Sequence, residues 1–283
     1  MNTLHACHLG PIGYREGLEL QETMVVSRAA GETGDWVLFP DHPAVLTVGR
    51  SPSEGNIVAG PDVLRSRGIE LFEVSRGGDI TWHGPGQLVG YTIFDLTSRD
   101  RDLHKFLRRI EEVLICALAG YGIGAGRSEG RTGVWVGEEK IASIGVAVRR
   151  WVSYHGFALN VSPDLANFDL IHPCGLRDIR MTSIARLKGT PAPGLGEVRE
   201  RVARELAAGF GFDGLRWIPA ERAWAIGRGA SGDRGAAPGL ESAARDAAGS
   251  EPRMEPPAVS TRHGLRGATS MIETDGGGAH GGH

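Results

Sequence analysis

The cysteine at position 174 has the surroundings of a reactive thiol. Cys174 lies between Pro173 and Gly175, and Arg177 and Arg180 follow it in the chain. A structural cysteine usually packs within an apolar run as a small hydrophobic residue. Here the neighbours are turn residues, and nearby positive charges lower the pKa of a thiol and raise its thiolate fraction. Cys174 is therefore a candidate nucleophile, although the residues alone leave a purely structural role open.

Lys140 is the second candidate because of the residues that follow it. It comes after Gly-Glu-Glu and begins a long apolar run. A single lysine in that place reads as an ordinary exposed side chain at a strand edge. The run has small residues at Ser143 and Gly145, and Gly156 and Ala158 repeat the pattern on the next predicted strand. Two neighbouring strands with small side chains leave room for a slender apolar ligand.

The stretch from residue 76 to 91 combines glycine with polar side chains. Glycines lie at positions 77, 78, 84, 86 and 90, and donors or acceptors at Arg76, Asp79, Thr81, His83 and Gln87. Glycine allows a ligand to approach the backbone closely, and such loops on strands often hold substrates. The alternative is a tight hairpin with incidental charges. The stretch lacks the Gly-x-Gly-x-x-Gly and Gly-Lys-Ser/Thr patterns of nucleotide sites.

Hydrophobic periodicity predicts a chain with both helices and strands, of α/β (α+β) class. The predicted helices cover residues 13–30, 61–67, 102–119 and 195–210, with Asp102 as the cap of the third. The predicted strands cover residues 4–9, 36–39, 44–48, 69–74, 88–96, 134–136, 140–148 and 151–161. The second and third strands are expected to be joined by a turn, and the last three to form an antiparallel meander.

Composition restricts the class of protein. The chain has 283 residues, a net charge of -3 and three cysteines, which exclude a strongly basic nucleic-acid footprint and argue against a disulfide framework. The cysteines lack the spacing of a zinc site, so no metal is expected. Without an apolar signal segment or a run of about 18 apolar residues, the sequence predicts a cytoplasmic protein with no membrane contact.

The C-terminal part has a different composition. After Trp224 the chain has no aromatic residue and ends in glycines and histidines. Such a segment cannot bury enough apolar surface to offset chain entropy. We therefore predict one catalytic domain over residues 1–224 and a low-complexity, disordered tail over residues 225–283.

The motifs together resemble the lipoate (octanoyl) transferase family. The resembling segments are Arg76–Gln87 with Tyr91, Lys140–Gly145, His155–Asn160, Pro173–Gly175 and Met181–Ser183, with His42–Pro43 and Thr47–Gly49 before them. They occur in the family's order and span about residues 40 to 185, whereas the tail lies outside the family pattern. The resemblance implies the fold of biotin and lipoate protein ligases, a mixed, largely antiparallel sheet flanked by helices.

The resemblance also implies an activity, the first step of endogenous protein lipoylation. An octanoyl group would move from octanoyl-acyl carrier protein to a specific lysine of lipoyl domains. The acceptors would be 2-oxoacid dehydrogenases and the glycine cleavage H protein. No ATP or other cofactor is needed, because a thioester donor drives amide formation downhill.

The resemblance assigns site residues as well. Cys174 would carry the acyl group as a thioester, and Lys140 would favour its thiolate. The substrate-binding residues would be Arg76, Gly77, Gly78, Asp79, Ile80, Thr81, Trp82, His83, Ser143, Ile144, Gly145, Gly156, Phe157 and Ala158.

Three other interpretations remain. An ATP-dependent lipoate or biotin protein ligase shares the fold, forms an acyl-adenylate and needs no cysteine nucleophile. An amidotransferase that moves octanoyl between proteins would also use a cysteine. An inactive acyl-binding or regulatory protein is the third, and the presence of both Cys174 and Lys140 disfavours it.

Overall fold

The computed structural model describes residues 2–52, 55–99, 101–172, 179–189 and 191–229. Cys174 and its neighbours from 173 to 178, and the C-terminal residues from 230 onward, lie outside these ranges. The predictions made for them therefore stay predictions.

A large mixed sheet organises the described part of the chain. Its strands are β1 (Thr3–Pro11), β2 (Trp36–Asp41), β6 (Gln87–Ile93), β7 (Gly126–Ser128), β8 (Arg131–Val136), β9 (Glu139–Arg149), β10 (Val152–Asn160), β11 (Arg180–Met181) and β12 (Gly214–Trp217). The spatial order is β12-β1-β2-β6-β10-β9-β8-β7, and β11 pairs with β9. The pairs β1–β12, β1–β2 and β9–β11 are parallel, and the others are antiparallel. The predicted mixed, largely antiparallel sheet is confirmed, including the meander β8–β9–β10.

A second sheet of three strands carries the glycine-rich stretch. Its strands are β3 (Val45–Val48), β4 (Glu70–Glu73) and β5 (Ile80–His83), in the order β4-β3-β5. A separate apolar cluster fills one side of it, with contributions from the 3-10 helix Leu165–Leu170. Residues 80 to 83, predicted as part of a loop, thus form a strand.

The short connection between the second and third strands joins two different sheets. β2 pairs with β1 and β6 in the large sheet, whereas β3 pairs with β4 and β5 in the small one. Both strands are almost wholly buried. Continuous apolar runs carry no register information, so the local pattern cannot tell a hairpin from a crossing between two sheets.

Helices cover both sides of the large sheet. They are α1 (Tyr14–Ala29), α2 (Pro61–Ser66), α3 (Leu103–Ala119), α4 (Ile184–Lys188), α5 (Leu195–Gly209) and α6 (Ala220–Gly229). α3 and α5 pack in the main core, where Phe106, Ile110 and Val202 are buried. The side chain of Asp102 accepts a hydrogen bond from the backbone N–H of Lys105 at 3.0 Å, so the predicted cap of α3 is confirmed.

The last described helix crosses the predicted domain boundary. α6 runs to Gly229, and its Ala223 is fully buried. The predicted boundary after residue 224 therefore falls within a helix, because the lack of aromatic residues beyond Trp224 does not by itself end a helix. No helix within the described ranges is both long and apolar enough to cross a membrane.

Candidate active site

A cavity of about 320 Å³ lies on the face of β6, β10 and β9. Two cross-strand rows line it: Tyr91, Gly156 and Gly145 in one, and Val89, Ala158 and Ser143 in the next. On β9 and β10 these rows hold small side chains. The cavity is near the lower end of the roughly 300–1,000 Å³ typical of ligand sites.

The glycine-rich segment lies directly against β9. The backbone N–H of Gly77 donates to the carbonyl oxygen of Val146 at 2.9 Å. A Cβ added at Gly145 would lie 2.9 Å from the oxygen of Gly77 and 3.1 Å from Cδ of Arg76. The missing side chain at Gly145 therefore lets the segment pack closely on the sheet.

The cavity brings most of the predicted site residues together. Those that line it are Lys140, Arg76, Gly77, Gly78, Asp79, Ile80, Thr81, His83, Ser143, Ile144, Gly145, Gly156, Phe157 and Ala158. Cys174 lies outside the described residues. Trp82 is the remaining predicted residue, and it does not line the cavity.

Strand geometry explains the position of Trp82. Successive side chains of a strand point to opposite faces. On β5 this places Thr81 and His83 towards the cavity, while Trp82 packs edge-on against Phe168 in the core of the small sheet. The prediction treated this segment as a loop and did not separate its two faces. Phe157 is part of the main core and Ile144 packs against that core, although both also line the cavity.

Arg76 is a buried cation on the cavity wall. Its guanidinium donates to the carbonyl oxygen of Thr47 at 2.5 Å, to the hydroxyl of Thr47 at 2.9 Å and to the carbonyl oxygen of Gly77 at 3.1 Å. The residue is 8% exposed. These bonds hold its orientation, and the poorly solvated positive charge acts on every ionisable group around it.

Lys140 is almost completely buried, with 2% exposure. Its Nζ lies 5.4 Å from the centre of the Trp135 ring, in cation–π geometry. Gly133 leaves space for its side chain, since a Cβ there would lie 2.7 Å from Cε of Lys140. The alternative of an ordinary exposed lysine is therefore wrong.

The chain returns to Lys140 soon after Cys174. Ile179 lines the cavity, and Met181 of β11 pairs with Lys140 of β9. The backbone N–H of Thr182 then donates to the carbonyl oxygen of Lys140 at 2.9 Å. Thus the first residues described after the 173–178 segment lie at the strand that carries the lysine.

Three buried imidazoles surround the other side of the cavity. Burial lowers the pKa of His83 to about 3, partly opposed by the hydrogen bond to Gln87, and Arg76 and His42 add to the lowering. Burial also lowers the pKa of His155 to about 3, with Arg76 and then His83 as further causes. The pKa of His42 is lowered chiefly by burial. All three rings are therefore neutral near pH 7.

Two tyrosines complete this group. Tyr91 and Nε2 of His42 are joined by a hydrogen bond of 2.6 Å. Tyr14, the first residue of α1, stacks parallel to His83 with ring centres 6.2 Å apart, and burial raises its pKa to about 12. Sequence reasoning did not assign Tyr14 to the site, because nothing near it in the chain marks the contact.

His155 is a second residue that the prediction left out, although it lies in a resembling segment. It has φ of +57° within β10, a conformation that side chains rarely adopt. Its backbone N–H donates to the buried side chain of Gln21 at 2.8 Å. Nε2 of His155 is buried and makes no hydrogen bond within the described chain. Backbone strain of this kind is typical of functional sites.

Glu111 supports the segment beside Lys140. It is fully buried in α3 and accepts hydrogen bonds from Arg108 at 2.7 Å, Arg127 at 3.0 Å and the backbone N–H of Gly133 at 3.0 Å. Gly133 has φ of +124° and packs against Lys140. The helical pattern of α3 could have identified this acid, since Glu111 interrupts its apolar face.

The chain is similar in sequence to a known protein family and to members of it. The family model described as the lipoyl protein ligase A/B catalytic domain matches residues 13–207. An octanoyltransferase of Solibacter usitatus is 50% identical over 207 residues, covering 73% of this chain and 93% of the relative. One from Caldicellulosiruptor bescii is 48% identical over 189 residues, covering 66% and 83%.

Solved structures support the same fold. A lipoate-protein ligase A bound with ATP aligns with a TM-score of 0.66 and 20% identity, covering 80% of this chain and 92% of the other. A bi-partite lipoate protein ligase with its E2 lipoyl domain from Thermoplasma acidophilum aligns with a TM-score of 0.62 and 19% identity, covering 80% and 90%. At this identity the likeness concerns the fold alone.

The chain has the fold of the lipoate protein ligases. The chain belongs to the lipoate-protein octanoyltransferase family and is a lipoyl(octanoyl) transferase that acts in protein lipoylation.

Proposed function

We propose that the enzyme takes an octanoyl group from octanoyl-acyl carrier protein, holds it as a thioester on Cys174 and transfers it to one lysine of a lipoyl domain. The observation that carries this proposal is the buried Lys140 at a cavity with small-residue strands. The lysine lies on the strand to which the chain returns just after Cys174.

Lys140 supports the first step through charge. An unperturbed thiol, with a pKa of about 8.5, is only a few per cent thiolate at neutral pH. A lysine ammonium shielded from water stabilises the thiolate by Coulomb attraction. The thiolate of Cys174 attacks the donor thioester, and the carrier protein leaves with its own thiol sulfur. Because one thioester replaces another, this exchange is nearly balanced in energy.

In the second step an amine replaces the sulfur. The neutral amine of the acceptor lysine attacks the carbonyl carbon, a C–N bond forms, and the C–S bond breaks with its electron pair going to the sulfur of Cys174. The proton lost by the amine passes to a base, for which Lys140 in its neutral form and His83 are the candidates. Formation of an amide from a thioester runs downhill and requires no ATP.

The cavity supplies binding energy for the acyl chain. An octanoyl chain has six methylenes, and burying each is worth about 0.8 kcal/mol, or about 5 kcal/mol in all. Gly145, Gly156 and Ala158 let such a chain lie close to the backbone of β9 and β10. A cavity of about 320 Å³ has room for a chain of limited length.

Intact-protein mass spectrometry tests the proposal. Wild type and Cys174→Ala are mixed with octanoyl-acyl carrier protein without ATP, and a lipoyl domain is then added. An octanoyl mass on the wild type only, lost to the lipoyl domain, is the expected result. A ligase would instead form no adduct and would modify the lipoyl domain from free octanoate and ATP, which would overturn the proposal.

Two variants sharpen the role of Lys140. Lys140→Arg keeps a positive charge but cannot act as a neutral base, whereas Lys140→Met removes both properties. We expect Lys140→Met to slow thioester formation by at least about 100-fold. Full second-step activity in Lys140→Arg would exclude Lys140 as the base for the acceptor amine.

A further inference from the structure

A chain of side-chain amides determines which nitrogen of His83 carries the proton. It begins at the backbone carbonyl oxygen of Thr182, which accepts a hydrogen bond from Nδ2 of Asn160 at 3.0 Å. A carbonyl oxygen can only accept, so the amide nitrogen of Asn160 must face it. The oxygen Oδ1 of Asn160 therefore faces the other way, towards Gln87.

The same reasoning fixes Gln87 and then the imidazole. Nε2 of Gln87 donates to Oδ1 of Asn160 at 3.0 Å, so Oε1 of Gln87 is the atom 2.8 Å from Nδ1 of His83. Because Oε1 can only accept, Nδ1 carries the hydrogen. In the neutral ring, Nε2 then has the free electron pair. This is the less favoured tautomer of a free histidine side chain, so the protein selects it.

Nε2 is the ring nitrogen of His83 that is available to a ligand in the cavity. His83 lines the cavity and is 8% exposed, and within the described ranges its only side-chain hydrogen bond is that of Nδ1. The backbone N–H of Thr182 also donates a hydrogen bond to the carbonyl oxygen of Lys140 at 2.9 Å, so the same series of hydrogen bonds links His83 to the backbone of Lys140. The positions of Lys140 and His83 are thus set by one network.

We propose that Nε2 of His83 accepts a hydrogen bond from the attacking amine of the acceptor lysine, and that Gln87 and Asn160 are positioning residues that hold it as an acceptor. This inference rests on the proposed function and adds the group that binds the amine of the acceptor lysine. A neutral acceptor suits an amine that must itself be neutral to attack. The charged and titratable groups around the ring include Arg76, His42, His155 and Tyr14. The positive charge of Arg76 disfavours an incoming ammonium.

The bond made by Nε2 orients the lone pair of the amine towards the carbonyl carbon. As the C–N bond forms and the C–S bond breaks, the electron pair of the C–S bond goes to the sulfur of Cys174. The amine proton leaves through Nε2 and balances the carrier-protein thiolate formed in the first step, so the enzyme returns to the Cys174 thiolate that begins the next cycle. Atoms and charges balance without an oxidant, a metal or ATP.

The tautomer can be read directly by nitrogen NMR. The full chain is labelled with 15N-histidine, and the His83 signals are assigned by comparison with His83→Gln. We expect a pyrrole-type shift for Nδ1 and a pyridine-type shift for Nε2. In Asn160→Leu the side-chain amide of Gln87 is free to flip, so we expect a mixture of the two His83 tautomers. A merely structural role of Asn160 would not produce this mixture. A wild-type ring with its proton on Nε2 overturns the proposal.

Single-turnover kinetics test the role in the second step. Octanoyl-enzyme is formed first, and excess lipoyl domain is then added. We expect His83→Leu to slow the second step by about 10- to 100-fold, while thioester formation stays within about threefold. His83→Gln, which places a carbonyl acceptor near the position of Nε2, should recover part of the rate. His104→Leu, at an exposed histidine of α3, is the control and should change neither step.

The outcomes separate the two proposals. If His83→Leu slows both steps equally or neither step, the role of His83 is wrong while the thioester mechanism stands. If wild type forms no octanoyl adduct, the proposed function fails and the acceptor role falls with it. The NMR measurement needs no turnover, so it decides the tautomer even if His83→Leu does not fold.

Discussion

The two sides of the cavity are built on opposite principles. One side, the polar wall, consists of Tyr14, Arg76, His83, Tyr91 and His155, which carry hydrogen-bonding or charged groups in a nearly dry setting. The other, the small-residue wall, consists of Ser143, Gly145, Gly156 and Ala158 on β9 and β10. The polar wall works through groups held in one orientation, and the small-residue wall works through space where side chains are missing.

This difference predicts different sensitivities. The polar wall should respond to changes of charge and of hydrogen-bond partners, because a buried polar group that loses its partner bears its full desolvation cost. The small-residue wall should respond to added atoms and hardly to pH. The effects below are ordered from the largest expected to the smallest.

Gly156→Ala should produce the largest loss of stability. A Cβ at this position would lie 2.1 Å from the backbone oxygen of Gly90 on the neighbouring strand, so the sheet itself must move. We expect the free energy of unfolding to fall by about 3 kcal/mol or more, as measured by urea denaturation. Gly124→Ala is the matched control, since nothing lies within 4 Å of its added Cβ. Equal stability of the two variants would refute the close approach of β6 and β10.

Acid should destabilise the protein through the polar wall. The folded pKa values of His83 and His155 are about 3, whereas an unfolded histidine has a pKa of about 6.5. Between these values only the unfolded chain binds the proton, so stability rises with pH in this window and is complete above about pH 6.5. At pH 5, each of these two imidazoles should therefore lower the free energy of unfolding by about 2 kcal/mol.

Denaturation curves at several pH values check this expectation. His155→Asn retains a side chain that tolerates positive φ and removes one titrating ring, so its stability should fall less between pH 7 and pH 5. His104→Leu serves as the control and should keep the wild-type slope. An unchanged slope in His155→Asn would mean that this ring is not held neutral by burial.

Thr47→Val should weaken the hold on Arg76. The variant keeps the shape of the side chain but removes the hydroxyl that accepts from Nη2 of Arg76 at 2.9 Å. Hydrogen bonds to charged groups contribute about 1.5–3 kcal/mol, so we expect kcat/KM to fall about tenfold. Thr47→Ser retains the hydroxyl and should stay near wild type. Loss of equal size in both variants would point to packing instead of the hydrogen bond.

Gly145→Ala should have the smallest of these effects. Its Cβ would lie 2.9 Å from the backbone oxygen of Gly77 and 3.1 Å from Cδ of Arg76, so a smaller shift relieves these contacts than the 2.1 Å contact at Gly156 requires. We expect a loss of about 1 kcal/mol in stability and a modest rise in KM for the acyl donor. A loss as large as that of Gly156→Ala would show that the glycine-rich segment cannot move.

The success of the sequence-based predictions differs between elements for physical reasons. The helix α3 was predicted with its cap because its period and the Asp102 signal are local. The meander was predicted because each strand follows the last after a short turn. The sequence did not show that β2 and β3 belong to different sheets, because pairing partners depend on the whole sheet and not on the residues between two strands.

The site shows the same division. Small residues on β9 and β10 correctly indicated space for a slender ligand, and the glycine-rich segment does line the cavity. Trp82 was assigned to the site with the rest of its motif through the family resemblance, while the segment was treated as a loop. Because alternate side chains of strand β5 face opposite sides, Trp82 faces away from Thr81 and His83.

By itself, the sequence determined the residue types available for chemistry, the periodic helices and the order of the motifs, all of which depend on neighbours along the chain. The tertiary structure alone decided that Lys140 is buried, that Tyr14 stacks on His83, and that the amides of Gln87 and Asn160 direct a proton to Nδ1 of His83. These properties join residues far apart in the chain, and burial and hydrogen-bond direction exist only once the sheets have packed.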